Sequence, residues 1–247
     1  GDDKMNFYLA FGHDNEQGIL IDNSFKRYSA RVNSDVKLAS WLKIGESALI
    51  SRVSENPIGN NNENRTGAIP YRSIPIMPVK DASNPFGGWG MGPAYFNGPN
   101  PVATQYQQHE EKTYNRLDAN AYVEVTPLAG LTVRSTVGLN YMSFLGERFE
   151  ESFDYGTFAD PINRLYYTSA NNQALVANIV GTYNKTFGKH AIKVMAGYES
   201  FQYDPKSFNV AGSQFVVDVA HSYNLSSGPA SVPDKFMPVQ ERMLSQF

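Results

Sequence analysis

Phe25-Lys26-Arg27-Tyr28-Ser29-Ala30-Arg31-Val32-Asn33-Ser34-Asp35-Val36-Lys37-Leu38 carries two messages, one on each parity. Tyr28, Ala30, Val32, Ser34, Val36 and Leu38 hold no charge, whereas Ser29, Arg31, Asn33, Asp35 and Lys37 are polar or charged. Successive side chains of a strand point to opposite faces, so the stretch reads as a strand with one apolar and one charged face. A helix would scatter the same charges around its circumference.

Working outward, the signal recurs. Over residues 116–126 one parity is Leu117, Ala119, Ala121, Val123 and Val125, and the other is Arg116, Asp118, Asn120, Tyr122, Glu124 and Thr126. Over 131–141, Leu131, Val133, Val137, Leu139 and Tyr141 alternate with Thr132, Arg134, Thr136, Gly138 and Asn140, with Ser135 interrupting the apolar series. Weaker versions cover 41–53, 173–185 and 190–203. Residues 6–11 read as the end of one strand and 243–247 as the start of another. Tight turns are predicted at Ala39-Ser40, at Pro127 to Gly130 and at Thr186 to Lys189. The hairpins are separated by long irregular stretches at 54–114, 145–172 and 204–242. The first carries eight prolines and the run Gly87-Gly88-Trp89-Gly90-Met91-Gly92.

Alternation alone fits a soluble β-sandwich, which also has one wet face. Strand length and charge placement favour a barrel. The strands look about twice the usual soluble length of 5–6 residues. The apolar parity is almost free of charge, as a lipid-facing band requires, because charge at the bilayer midplane costs roughly 2–4 kcal/mol. Short turns on one side and long loops on the other describe an up-and-down barrel of outer-membrane type. Glu46 departs from the pattern and is expected near an interface or beside a bulge. Tyr28, Trp41, Tyr141, Tyr183 and Tyr198 are candidates for the aromatic girdles. The expected fold is therefore all-β, an antiparallel meander of long strands forming part of an outer-membrane barrel, with residues 1–247 as one partial barrel domain.

Composition narrows the rest. The chain has 247 residues, 41% hydrophobic and 18% charged, with a formal net charge of -3. No basic run marks a nucleic-acid surface. The absence of cysteine removes disulfides, thiol catalysis and Cys-based zinc sites. The first residues have no apolar core of a signal peptide, and no run of about 18 apolar residues provides a transmembrane helix. His13, His109, His190 and His221 show no metal-ligand spacing, and no nucleophile elbow or phosphate-binding loop occurs. Gly87 to Gly92 lacks the predicted helix that phosphate cradling needs. Glu150-Glu151 has no visible environment that would raise a carboxyl pKa. Neither catalytic residues, nor a metal, nor a cofactor are predicted.

These segments together resemble a known family. Asn6-Phe7-Tyr8-Leu9-Ala10-Phe11-Gly12 followed by Glu16-Gln17-Gly18-Ile19, then residues 25–33 leading to Trp41-Leu42-Lys43-Ile44-Gly45, are similar to the barrel of SusC-like (RagA-like) TonB-dependent outer-membrane transporters of Bacteroidetes. Asn115 to Tyr122, Gly130 to Ser135, Gly138 to Tyr141, Tyr183 to His190, Ala196 to Glu199 and Leu244 to Phe247 continue the likeness in collinear order. Each motif is loose alone; their order is more specific. Family members are several times longer, with a signal peptide and a plug, so the resemblance implies a mid-barrel stretch of seven or eight strands. It also implies TonB-driven import of glycan or peptide nutrients, an outer-membrane location in contact with lipid, and a SusD-like surface lipoprotein over the loops. Arg31, Asp35, Arg116, Asp118 and Arg134 would then line the lumen or meet the plug.

The long loop adds aromatic residues, Tyr71, Phe86, Trp89, Tyr95, Phe96 and Tyr106. Of these, Tyr71, Trp89, Tyr95 and Tyr106 are the candidate ligand-binding residues, because rings beside Asn and Gln suit stacking on glycans or peptides. The plainer reading is that they pack the loop onto the rim. A soluble extracellular β-domain binding carbohydrate through these loops is the alternative function, and an enzyme ranks last for want of a catalytic constellation.

Overall fold

The computed structural model describes residues 4–57, 74–96, 98–156, 159–215 and 241–246. Its main element is one antiparallel sheet of eight strands in sequence order. They are β1 (Met5–Gln17), β2 (Ser24–Ala39), β3 (Leu42–Asn56), β4 (Gln108–Leu128), β5 (Leu131–Glu150), β8 (Arg164–Phe187), β9 (His190–Ser213) and β10 (Glu241–Gln246). A two-stranded hairpin, β6 (Phe153–Asp154) with β7 (Ala159–Asp160), and a short helix, α1 (Pro101–Gln107), stand at the loop side.

The tight turns fall where the sequence puts them, between β2 and β3, β4 and β5, and β8 and β9. Gly130 and Gly188 supply the left-handed backbone of the last two, with φ of 89° and 59°. The strands run much further into the long stretches than the alternation indicates. Strand β3 reaches Asn56, β4 starts at Gln108, β5 reaches Glu150, and β8 and β9 each span 24 residues. The long connections are shorter by the same amounts.

Register shows that the parities of separate strands join into two continuous faces. Phe11, Ala30, Ile50, Leu117 and Tyr141 follow one another across β1 to β5. Tyr28, Tyr141, Tyr183 and Tyr198 all lie on this apolar face, and Trp41 occupies the β2–β3 turn. Glu46 also stays on it. The bulge in this hairpin is at the turn, between Lys37 and Ala39, so no register shift moves Glu46. Glu46 pairs with Ser34, whose hydroxyl donates to it at 3.1 Å, and it lies mid-band between Ile44 and Ala48. Neither an interface position nor a bulge accounts for it.

The apolar face is a band with a sharp outer edge. Going strand by strand, its last apolar residues are Tyr28, Ile50, Leu117, Tyr141, Leu175 and Tyr198. The next residues outward on the same face are Lys26, Arg52, Asn115, Ser143, Gln173 and Ser200. Traced through the register, this edge moves eight residues toward the turns over five strand steps from β2 to β9. At about 3.3 Å per residue and about 4.8 Å per strand, a level band requires strands tilted by about 45°, close to the tilt of outer-membrane barrels.

The sheet itself has no core. Phe11 is 78% exposed, and Ile50, Val123, Val137, Ile179 and Val194 are exposed on the same face. Among the described residues, buried apolar side chains form two small clusters. Trp89, Ala103 and Tyr155 make one, and Phe149, Leu165 and Phe215 the other. Both lie at the loop side. A soluble sandwich needs a second layer over the apolar face, and the described residues supply none.

Candidate functional site

The loop side is built around two asparagines. Asn100 caps α1: its side-chain oxygen accepts from Val102 N at 3.1 Å and Ala103 N at 3.2 Å. Pro101 stands at the first helical position, where its missing N–H costs nothing. The Asn100 amide group lies within donating distance of the carbonyls of Gly90, Val79 and Pro78, at 3.1, 3.2 and 3.3 Å. Asn84 donates to Trp89 O and Asp154 O, both at 2.8 Å, and accepts from Phe86 N at 2.9 Å. Both asparagines are buried, so their bonds replace water for a loop with little regular structure.

The predicted binding aromatics separate in this frame. Trp89 is only 7% exposed and packs on Ala103 and Tyr155. Lys80 Nζ sits 3.0 Å from its ring centroid, and Tyr106 stacks on it at 5.4 Å. Tyr106 remains 49% exposed and Tyr95, away from that stack, 78% exposed. Tyr71 lies outside the described residues. The structure therefore brings Trp89 and Tyr106 together and leaves Tyr95 apart.

Beside this cluster opens a cleft of about 370 Å³, lined by Thr104, Gln107, Glu150, Tyr155, Asp160, Arg164 and neighbours. Its floor is the loop-side end of the sheet. There Gln108 pairs with Glu150 and Glu150 with Arg164, on the charged parity. Its far wall is α1 with the β6–β7 hairpin. Glu151 N donates to Gln107 O at 3.0 Å and ties the two together. The Tyr155 hydroxyl donates to Gln107 Oε1, and burial pushes its pKa well up. Asp160 accepts from both guanidinium nitrogens of Arg164, at 2.5 and 3.3 Å, which holds the arginine's charge firmly on. Arg148 lies over the Tyr166 ring at 4.4 Å, and His109 Nε2 is 3.0 Å from Glu151.

The sequence gives no sign of this cleft. Glu150-Glu151 and α1 belong to it, yet the pair lacked context and the helix was not expected. Asn100-Pro101 was the available signal for the helix start.

The charged parity continues from the cleft across the sheet. Lys43 lies 3.5 Å from Asp35 and Arg134 3.7 Å from Glu124. The Tyr122 hydroxyl donates to Asp35 while Arg134 covers its ring at 3.7 Å. Gly45 leaves room for this: a Cβ there would run into the Tyr122 ring and the Asp35 carboxylate. Arg116 and Asp118 share a hollow of about 400 Å³ with Arg31. Among the described residues no cluster suits a metal ion.

No protein-family model matches the chain. In sequence it is 21% identical over 269 residues to TonB-dependent receptor P3 of Formosa agariphila, covering 100% of this chain and 25% of that protein. It is 24% identical over 153 residues to TonB-dependent receptor P26 of the same organism, covering 61% of this chain and 14% of that protein. In structure it superposes on a chain of the RagAB peptide transporter with a TM-score of 0.76 at 17% identity, covering 100% of this chain and 28% of that one. The RagAB peptide importer in its open-open state gives 0.74 at 16% identity, with the same coverage. The chain thus spans a quarter or less of the relatives it matches in sequence. Both comparisons agree on one fold, the outer-membrane β-barrel of TonB-dependent receptors, of which this chain forms a run of neighbouring strands.

Proposed function

We propose that this chain is part of the wall and mouth of a TonB-linked outer-membrane transporter that imports peptide or glycan fragments. One observation carries the reading. The two faces of the sheet differ in kind, one an apolar band whose charge among the described residues is Glu46 and the other charged from the turns up to the mouth cleft. A wall between lipid and a polar lumen requires that difference, and a soluble binding domain does not. In this role Arg31, Asp35, Arg116, Asp118 and Arg134 face the lumen or the plug, and the band faces lipid. A SusD-like lipoprotein covers the loop side, and TonB acts through parts of the protein outside this sequence. The chain does not act as an enzyme.

Ligand contact falls to the exposed loop rings. Tyr95 and Tyr106 offer open faces, Trp89 holds Tyr106 in place, and Tyr71 belongs to the same loop. Two experiments test the proposal. An immunoblot of fractionated cells should give an outer-membrane band much larger than the chain's 27.5 kDa. Deleting the gene should abolish growth on peptides or on glycans as sole nutrient. A soluble band, or unimpaired growth on both, overturns the reading. In the full-length protein Tyr95→Ala and Tyr106→Ala should weaken ligand binding without loss of folding; unchanged affinity removes the rings from the site.

A further inference from the structure

We propose that Lys26 and Arg52 bind the phosphate of an anionic lipid in the outer leaflet of the membrane; this rests on the barrel fold and not on what the barrel imports. Both residues are exposed and lie on the face that carries the apolar band. Each stands one step beyond the last apolar residue of its strand, Lys26 beyond Tyr28 and Arg52 beyond Ile50. Two residues along a strand tilted by about 45° add about 5 Å of height. Headgroups occupy roughly the first 5–7 Å outside the hydrocarbon, so both cations stand at the level of lipid phosphates. The long connections lie at this end of the strands, which makes the leaflet the outer one.

The two side chains are neighbours. Tyr28 pairs directly with Arg52, and Lys26 is diagonal to it. Diagonal neighbours on one face are about 7–8 Å apart, within reach of two long side chains closing on one phosphate. Neither cation has an ion pair among the described residues. The residues paired with them are Asn15, Ser54, Tyr28 and Asn115, and no diagonal neighbour is acidic. Elsewhere the chain supplies counter-charges: Asp14 meets Arg27 at 2.8 Å on the charged face, and Asp204 meets Lys206 at 3.4 Å further out on β9. Two adjacent cations without a carboxylate repel each other, and an anion between them removes that cost. A phosphate takes the guanidinium of Arg52 through two parallel bonds and Lys26 as a point charge. Hydroxyl and amide groups of Tyr28, Ser54, Asn15 and Asn115 flank the pair on the same face and are donors for the remaining oxygens. His13 stacks on Tyr28 at 4.7 Å and holds that ring at the band edge. A zwitterionic lipid brings its own ammonium and leaves the two cations uncompensated.

The test is native mass spectrometry of the purified full-length protein in detergent micelles that contain phosphatidic acid or phosphatidylcholine of the same acyl chains. Wild type should retain phosphatidic acid in preference to phosphatidylcholine. The double variant Lys26→Gln/Arg52→Gln should bind phosphatidic acid on the order of tenfold more weakly, the scale of two cations at a membrane surface, and phosphatidylcholine as before. Arg52→Lys keeps the charge and loses the fork, so it should fall between wild type and the double variant. Lys206→Gln removes an outer-face charge well above the band and should bind both lipids as wild type does. Equal retention of the two lipids by wild type, unchanged affinity for phosphatidic acid in the double variant, or an equal loss in Lys206→Gln overturns the proposal. Displacement of phosphatidic acid by millimolar inorganic phosphate would mean a site for a free anion and would overturn the lipid assignment. Loss of growth on gene deletion, together with equal retention of both lipids, would leave import standing and remove only the lipid site.

Discussion

Asn100 shows how much a single side chain holds at the loop side. It satisfies two N–H groups at the start of α1 and reaches three carbonyls of the 78–90 segment. Asn100→Ala strands all of them in a buried place, and the cap alone is worth about 1 kcal/mol. The expected outcome is local unfolding of residues 74–107 by about 2–3 kcal/mol, read as faster hydrogen exchange in α1 with unchanged exchange in β4 and β5. Tyr155, packed on Ala103 of α1, and Tyr167, packed on Phe149, Leu165 and Phe215, give the loop side a pH limit. Burial pushes both hydroxyls above their ordinary 10.0, and for Tyr167, where Glu147 adds to the effect, to about 12. A raised pKa on an acid means that the folded state keeps the proton longer than the unfolded one. The stabilisation is whole below pH 10 and is lost as pH rises from about 10 to about 12. Tyrosinate absorbance in that interval should rise together with exchange at Phe149 and Leu165, against which Tyr167 packs. Ionisation complete by pH 10 with the loop still protected would contradict the burial of these rings.

At the scale of the strand, parity decides the outcome of substitution. Thr136 and Val137 are neighbours on β5, yet Val137 lies between Ala121 and Ala177 in the middle of the apolar band and Thr136 on the charged face. Val137→Arg should cost roughly 2–4 kcal/mol, the price of a cation at the bilayer midplane, whereas Thr136→Arg should leave barrel stability nearly unchanged. Urea unfolding of the two variants in lipid vesicles checks this, and equal costs would deny that the faces differ in solvent. The same logic explains which parts of the strands were legible in the sequence. Alternation marks 25–38, 116–126 and 131–141 because lipid on one side and water on the other select opposite residue types. Beyond the band edge both faces are wet. Ser143, Asn171, Ser169 and Gln173 then carry no apolar parity, although the backbone pairs on to Glu150 and Arg164. Pro205, opposite Asn172 inside β9, reads as a strand breaker and removes one ladder donor, but the strand continues past it. The helix escaped notice for a different reason: seven residues are too few for a helical period, so only its cap spoke for it. The cleft escaped because it joins segments more than forty residues apart, such as Gln107 and Tyr155.

At the scale of the whole molecule, the staircase of the band edge fixes how the sheet sits in the membrane. Tyr28 and Tyr198 are eight residues apart when both are carried onto β2 through the register. Upright strands would put Tyr198 about 26 Å deeper than Tyr28, the full height of the apolar band. Strands tilted by about 45° put both rings at one height, where headgroups meet acyl chains and where tyrosine is favoured. Residues 1–247 contain no cysteine, so each labelled position is the one thiol of this stretch. Nitroxides at Tyr28→Cys and Tyr198→Cys in the full-length protein should show equal immersion depth. Leu117→Cys should lie near their level, Tyr141→Cys should lie shallower because the edge does not move from β3 to β5, and Ala121→Cys should lie deeper than Leu117→Cys. Depths that instead fall steadily from β2 to β9 would mean that the residues follow a slope across the membrane. The level edge would then be lost, and the division of the sheet into a lipid face and a lumen face would fail with it.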